Sequence, residues 1–211
     1  MQAPLAPYPA TIQIDYPDRL DRLTTFFRIF TAIPIVIVLS LLFHPGSQAG
    51  RPGTSADWST AGIGVLFLPV LLLIVFRQKY PRWWFDWNLE LMRFSLRVAA
   101  YLALLGDRYP STDEEQAVHV DLVYPGVRVD LNRWLPLVKW FLAIPHYIVL
   151  FFLYIGAVVA VIIAWFAILF TASYPRGLFD YVVGVMRWHL RVVAYAFLLI
   201  TDRYPPFRLG E

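Results

Sequence analysis

The sequence predicts an all-α integral membrane protein with two tandem helical-hairpin repeats, four transmembrane helices in total, and an amphipathic interfacial helix after each hairpin. Three observations carry this prediction. Of the 211 residues, 59% are hydrophobic and 16% are charged, whereas soluble domains average about 45–50% and about 25%. The second half of the chain repeats the first. Each repeat contains apolar stretches close to membrane length, followed by a segment whose charges share one helical face.

Charge and cysteine content exclude several classes of protein. The chain has no cysteine, which excludes disulfides and thiolate metal sites. Its net charge of +3 is small and its basic residues form no runs, which favours a membrane protein over a nucleic-acid-binding protein. Residues 1–20 lack a basic stretch followed by an apolar core, so we expect no cleavable signal peptide.

An internal repeat organises the chain, with one unit over residues 11–110 and a second over 117–208. The matched segments are FTAIP (30–34) and FLAIP (141–145), YPRWWFD (80–86) and YPRGLFD (174–180), and DRYP, which occurs at 107–110 and again at 202–205. Proline disfavours helix at the residue before it. DRYP is therefore interpreted as the end of the interfacial helix in each unit.

The first unit, residues 26–110, is predicted to contain four elements. They are a transmembrane helix (26–43), an external Gly/Pro/Ser-rich loop (44–60), a second transmembrane helix (61–76) and the interfacial helix (85–105). An N-terminal cytoplasmic segment (1–25) precedes them and a cytoplasmic linker (111–136) follows. Alternating apolar residues at Ile12–Tyr16 and Val118–Tyr124 predict two short strands that pair with each other.

In the second unit, residues 137–208, the two apolar legs are fused into one run at 137–173. Read alone, this run could be a single long helix. The alignment with the first unit favours a transmembrane hairpin that turns near Gly156. The second interfacial helix is predicted at 179–200.

The charged residues of the third helix in each unit share one face. The first unit has Asp86, Glu90, Arg93 and Arg97 at spacings i, i+4, i+7 and i+11, and the second has Asp180, Arg187 and Arg191, with Gly184 in place of the glutamate. Two arginines near a membrane centre cost roughly 5–7 kcal/mol, and the apolar residues return only about 2–5 kcal/mol. The balance favours a helix that lies at the membrane interface.

The distribution of basic residues predicts an orientation. Only Arg51 of the 18 Lys and Arg residues lies in the long loop. By the positive-inside rule, both termini are expected in the cytoplasm of a multi-pass protein of the cell inner (plasma) membrane.

The paired arginines are the best candidate site. Arg93, Arg97, Arg187 and Arg191 could clamp anionic lipid headgroups or an acidic partner surface, since guanidinium groups bind phosphate oxygens bidentately. The alternative is internal pairing with Glu90 and Asp86. Because Gly184 replaces the glutamate, we expect Arg187 and Arg191 to have fewer internal partners. The predicted interface anchors are Trp83, Trp84, Trp87, Trp134, Trp140, Trp188, Tyr109 and Tyr204.

No pattern predicts catalysis, a cofactor or a metal. The four histidines have no metal-ligand spacing, and the chain contains no phosphate loop, nucleophile elbow or HExxH motif. A ligand role for His146 or His189 is the less favoured interpretation beside packing or capping. We expect no catalytic, cofactor-binding or metal-binding residue.

The segments AIPH (143–146), YPRGLFD (174–180) and RWHLRVVAY…TDRYPPF (187–207) resemble a bacterial integral-membrane family catalogued only as a domain of unknown function. The resemblance covers nearly the whole chain. The first unit departs from the pattern, because Ile35 replaces the histidine and PSTDEEQ stands where PPF is expected. The resemblance implies a membrane location and no established activity.

The function expected from the sequence is that of a non-catalytic accessory or scaffold subunit packed against a larger membrane protein complex. The alternative is a protein that binds lipid or a small hydrophobic molecule, as a transporter or a sensor of membrane state. In both cases the partners are membrane lipids, including anionic ones, and other membrane proteins, and not nucleic acid.

Overall fold

The computed structural model describes residues 8–43, 61–112, 114 and 116–210, so the predicted external loop (44–60) lies outside the described residues. Its elements, in chain order, are β1 (Ala10–Ile14), α1 (Arg22–Phe43), α2 (Ala61–Leu72) with a π-helical continuation (Leu73–Arg77), α3 (Arg82–Leu102), β2 (Val118–Leu122), α4 (Val127–Asp130), α5 (Pro136–Leu142), α6 (Ile144–Thr171) and α7 (Arg176–Ala196). The described part of the chain is thus mostly helical with one two-stranded sheet.

The prediction of four transmembrane helices in an all-α fold is wrong. Within the described residues, two helices are long and apolar enough to cross a membrane: the Arg22–Ser40 part of α1 and the whole of α6. Among the residues whose side chains the structure describes, α2 and its π-helical continuation provide a shorter apolar stretch, Phe67–Arg77.

The predicted hairpin at 137–173 is also wrong, because α6 runs unbroken from Ile144 to Thr171. One glycine inside a helix costs only about 1 kcal/mol, so Gly156 does not enforce a turn. It instead allows close packing, since a Cβ atom there would lie 2.4 Å from the Tyr181 hydroxyl oxygen. Matched residues are 111 apart before the loop (Pro34 and Pro145) and 94 apart after it (Tyr80 and Tyr174), and the difference of 17 equals the length of 44–60. Without those residues the two legs continue as one helix.

The two helices predicted as interfacial are α3 and α7, and α7 is a core helix. It packs against α6 and β1, and Val183, Leu190 and Ala194 are among its many buried residues. A helix on a membrane surface would expose its polar side to water. On the polar side of α7, Gly184 and Arg191 are buried, and Asp180 is exposed. Most of this side is thus covered by protein, so the interfacial assignment is corrected.

The predicted pairing of the two strands is confirmed. β1 and β2 are antiparallel, with Ala10 opposite Leu122 and Ile14 opposite Val118. Both strands bury alternate residues. β1 packs on α7 and β2 on α3, so each strand lies on the helix of the other repeat. The two units are therefore intertwined through the sheet.

The helices end before DRYP and not at it. α3 ends at Leu102 and α7 at Ala196. Leu104 and Leu199, each three residues before the aspartate of DRYP, have φ values of 64° and 56°. The left-handed residue lets the chain turn away from the helix axis. DRYP thus lies beyond the turn, where its aspartate is free to make contacts elsewhere.

Candidate functional site

The aspartate of each DRYP motif forms an ion pair with a buried cation. Arg28 Nη2 lies 2.6 Å from Asp107 Oδ1, and Lys139 Nζ lies 2.7 Å from Asp202 Oδ1. Both cations are almost fully buried. Sequence reasoning missed these pairs. The signal was present, however, because Arg28 and Lys139 align with the same offset as the FTAIP and FLAIP segments.

In the second unit the predicted arginine site holds the C-terminal segment. Arg187 Nη1 donates to the Leu209 carbonyl at 3.2 Å, and Arg191 donates to the carbonyls of Arg208 and Gly210 at 3.2 and 2.6 Å. A Cβ atom on Gly184 would lie 2.9 Å from Leu209 Cβ. Gly184 therefore allows the C-terminal segment to cross α7. The expectation of fewer internal partners for Arg187 and Arg191 does not match this arrangement.

In the first unit the arginines also make internal contacts. Arg93 Nη1 pairs with Glu90 at 2.7 Å, and its Nε donates to the Val120 carbonyl at 3.1 Å. Arg97 is buried and donates to the Ser111 carbonyl at 3.0 Å. Each arginine pair lies beside the strand of the other unit. Arg93 donates to Val120 and Arg187 to Ile12, two residues that lie opposite each other in the sheet. A headgroup contact for them stays a prediction.

The predicted aromatic anchors fall into two groups. Six of the side chains are exposed on the surface of the protein: Trp83, Trp87, Trp134, Trp140, Tyr109 and Tyr204. Trp84 is half-buried, and Trp188 is buried. Trp188 Nε1 donates to His146 Nδ1 at 3.0 Å, and the His146 ring stacks on Phe207 at 4.1 Å between centroids. The histidine of AIPH thus belongs to an aromatic cluster that holds the C-terminal segment.

An apolar cavity lies between α2, α3 and α7. Its volume is about 260 Å³. The lining consists of Phe67, Val70, Tyr80, Trp84, Asn88, Leu91, Met92, Ser95, His189, Val193, Phe197 and Leu198. Concave, mostly apolar pockets with a few polar groups are typical of sites for small ligands. This cavity is therefore the candidate binding site, and the sequence did not predict it.

His189 is the polar group of the cavity with the clearest chemistry. Its Nδ1 lies 2.7 Å from the Tyr154 hydroxyl oxygen. Burial lowers the pKa of His189 to about 4, so the ring is neutral at pH 7 and carries one N–H. Within the described residues the Tyr154 hydroxyl has no other acceptor, so we assign it as the donor to Nδ1. That assignment leaves Nε2–H as a donor for a ligand in the cavity.

The other polar groups of the cavity come from α3. Asn88 donates to the Trp84 carbonyl at 2.7 Å, and the Ser95 hydroxyl donates to the Leu91 carbonyl at 2.6 Å. Both side chains keep an oxygen that can accept a further hydrogen bond. Ser95 and His189 are matched positions of the two repeats. The cavity thus lies where the two units meet.

In the described part of the chain, no three His, Asp or Glu side chains lie close enough together to hold a metal ion.

Comparison with known protein families gives a match in the second half of the chain. Residues 134–208 match the family model of a domain of unknown function, DUF4389. That range contains α5, α6, α7 and the second DRYP segment. It confirms, for this part of the chain, the resemblance found in AIPH, YPRGLFD and RWHLRVVAY. No curated protein and no solved structure matches the chain.

Proposed function

We propose that this protein is a non-catalytic membrane protein that binds a neutral, elongated hydrophobic molecule, such as a lipid acyl chain with its ester group, in the cavity between α2, α3 and α7. The observation that carries the proposal is the cavity itself, a space of about 260 Å³ lined mostly by apolar side chains. The expected site for anionic headgroups is a different surface, so the two functions are separable.

The shape of the cavity supports an elongated ligand. α3 contributes lining residues from Trp84 to Ser95. These residues recur at helical spacing on one face, over a length of roughly 16 Å at 1.5 Å per residue. A chain molecule can follow such a groove, whereas a compact ligand would fill only part of it.

The chemistry of the lining supports a neutral ligand. The described lining residues include no Asp, Glu, Lys or Arg, and an unpaired charge there would be costly. His189 Nε2–H can donate to an ester or amide carbonyl. An acyl ester therefore fits the cavity better than a free carboxylate.

Membrane residence supports access of such a ligand. α6 has a mean hydropathy of 2.8, and only 17% of its apolar window is buried, unlike the core helix of a soluble protein. Leu68 and Leu72 on α2, which also supplies Phe67 and Val70 to the lining, are exposed, as is Phe76 on the π-helical continuation. Location in the inner membrane with both termini on the cytoplasmic side is part of this proposal.

The test uses monolauroylglycerol as the probe and native mass spectrometry of the purified full-length protein. Leu91→Trp should fill the cavity and reduce the bound fraction at least tenfold. Ile155→Trp, on the exposed face of α6, is the matched control and should bind as the wild type does. Equal binding by wild type and Leu91→Trp would overturn the proposal.

A second candidate is the accessory subunit predicted from the sequence. It is favoured by α1, whose buried residues Thr25, Arg28, Ala32 and Ile35 form a narrow strip. Most of its other described side chains, such as Ile29, Phe30 and Ile33, are apolar and exposed. Such a helix could pack against helices of another membrane protein. Co-elution with a stoichiometric complex after mild-detergent purification would support this function, and elution of a lone protein with bound lipid would contradict it.

A further inference from the structure

α6 is attached to the rest of the protein at both of its ends. At its start, the Tyr204 hydroxyl donates to the Leu142 carbonyl at 3.2 Å. At its end, the Leu20 amide donates to the Ala172 carbonyl at 3.0 Å, and Arg22 Nη2 donates to the Phe170 carbonyl at 3.0 Å. A helix that crossed the bilayer with the protein body on one side would be attached at one end only.

α7 lies along α6 between these attachments. Trp188 contacts His146 near the start of α6, and the Tyr181 hydroxyl donates to the Leu153 carbonyl at 3.0 Å further along. Ala160, Ala164 and Ile168 continue the buried face of α6 toward its end. The protein body therefore flanks α6 over its length.

β1 packs on α7, and the tyrosines that flank the strand reach toward both ends of α6. The Tyr8 hydroxyl, before the strand, donates to the Arg203 carbonyl at 3.1 Å, beside the start of α6. The Tyr16 hydroxyl, after the strand, donates to the Tyr174 carbonyl, just beyond the end of α6. The strand itself, five residues long, spans about 17 Å beside α7, and the tyrosines on either side of it reach residues near the two ends of α6.

The outer face of the sheet is polar. The exposed residues of β1 and the position after it are Thr11, Gln13 and Asp15. Those of β2 are His119 and Asp121. Open sheet edges and exposed charges do not occur within the hydrocarbon of a bilayer. If α6 stood along the bilayer normal, this polar sheet would pass through the hydrocarbon with it.

We propose that the protein binds the membrane as a monotopic protein, with α6 and the adjoining α1 lying in the plane of one leaflet. In this orientation each layer of the protein lies in a medium that suits its polarity. The exposed face of α6, which includes Ile148, Phe151, Ile155, Val158, Ile162 and Phe166, is immersed in acyl chains. α7 lies above it, and the polar sheet faces water. This proposal is independent of ligand binding in the cavity.

The occupant of the apolar face is lipid. The face continues from α6 onto α1 through the stacked rings of Phe26 and Trp165, whose centroids are 6.4 Å apart. Exposed Trp134 and Trp140 lie next to the start of α6, and tryptophan is enriched at the headgroup level of membranes. At 28 residues and about 1.5 Å per residue, α6 is roughly 42 Å long, more than a bilayer core requires.

The test measures the depth of spin labels along α6. The chain has no cysteine, so Ile148→Cys, Ile155→Cys and Ile162→Cys each give one labelling site. These residues are similarly exposed, at 57%, 51% and 53%, and they share one helix face. The full-length protein is reconstituted in vesicles of phosphatidylethanolamine and phosphatidylglycerol, and depth is read from collision with oxygen and with a water-soluble nickel chelate.

In-plane binding predicts the same depth at all three labels. A crossing helix would instead separate the outer labels by roughly 21 Å along the membrane normal, with one of them near a surface. Such a depth profile would overturn the proposal. Exclusion of oxygen from all three labels would also overturn it, because it would indicate that a protein partner covers this face.

A second measurement checks the ends of the helix. Gly177→Cys lies beyond the end of α6. Gly210→Cys lies in the C-terminal segment, which Arg191 binds near the start of α6. A Cβ atom at either glycine meets nothing within 4 Å, so folding is undisturbed. An impermeant thiol reagent should label both from the same side of oriented vesicles, and labelling from opposite sides would contradict in-plane binding.

Discussion

Lys139 and Asp202 form an ion pair, with Nζ 2.7 Å from Oδ1, and the lysine side chain is fully buried. Lys139 Nζ also donates to the Thr201 carbonyl at 2.6 Å. Burial lowers the pKa of Lys139, and the contact with Asp202 partly offsets that effect. Its counterpart, Arg28 with Asp107, occupies the matched position of the first repeat. Each repeat therefore uses its DRYP aspartate to fix the start of its apolar helices against the end of its third helix.

Removing one member of this pair should destabilise the protein more than removing both. Asp202→Asn leaves a buried lysine without its counter-ion, which costs about 3–5 kcal/mol, whereas replacing both members by uncharged residues is close to neutral. We therefore expect a large loss of unfolding free energy in Asp202→Asn and recovery in Asp202→Asn with Lys139→Met. The measurement is denaturant unfolding in detergent.

The control for that cycle is the Arg93–Glu90 pair, which is partly exposed. Glu90→Gln should change stability by less than about 1 kcal/mol. If Asp202→Asn were equally mild, the buried pair would have no structural role.

Gly184→Glu should release the C-terminal segment from α7. The substitution restores the residue type found at Glu90 in the first repeat, but its Cβ atom would lie 2.9 Å from Leu209 Cβ and 3.2 Å from the Leu209 carbonyl oxygen. We expect residues 206–210 to become sensitive to limited proteolysis while the helical circular dichroism stays unchanged. Gly177→Glu is the matched control, since its Cβ atom meets nothing within 4 Å. Equal protection of the segment in both variants would show that Gly184 is not required.

Stability should fall in mild acid because of His189. Burial lowers the pKa of His189 to about 4 in the folded protein, against an ordinary histidine pKa of 6.5. Between these values the unfolded chain binds more protons, so the unfolding free energy decreases as pH falls through that window, by up to about 3 kcal/mol. His189→Gln, which keeps an N–H donor, should remove this dependence. The check is the midpoint of denaturant unfolding between pH 7 and pH 4, and an identical slope in the wild type and the variant would contradict it.

Arg93→Ala should leave retention of anionic lipid unchanged within about twofold, which corresponds to about 0.4 kcal/mol. Arg93 contacts β2, and in-plane binding directs the sheet away from the membrane. The headgroup clamp predicted from the sequence requires the opposite result. Native mass spectrometry of co-purified phosphatidylglycerol distinguishes in-plane binding from the headgroup clamp. Arg108→Ala, which removes an exposed arginine, is the control for the change in overall charge.

Several features of the fold could be predicted from the sequence because they depend on local periodicity. The alternating residues at Ile12–Tyr16 and Val118–Tyr124 predicted the two strands and their pairing. The one-sided charges of 85–105 and 179–200 predicted two amphipathic helices, and α3 and α7 overlap those ranges. In each case, residues within one or two turns decide which face is apolar.

The hairpin at 137–173 was wrong because alignment reports which residues are equivalent and does not report how the chain connects them. A helix continues when nothing interrupts its hydrogen bonds, and Gly156 alone is a weak interruption. The interfacial assignment of α7 was wrong for a related reason. Periodicity identifies an amphipathic helix, but whether water, lipid or protein covers its polar side depends on residues far away in the chain.

The sequence by itself determined the repeat, the membrane-like composition and the residues that make strands and helices. Only the tertiary structure decided that each strand packs on the helix of the other repeat, that Asp107 and Asp202 bind buried cations, and that Ser95 and His189 line one cavity. These relationships join residues tens of positions apart. They arise from how preformed helices pack to bury apolar surface and pair the charges they bury, and local sequence patterns carry no information about that packing.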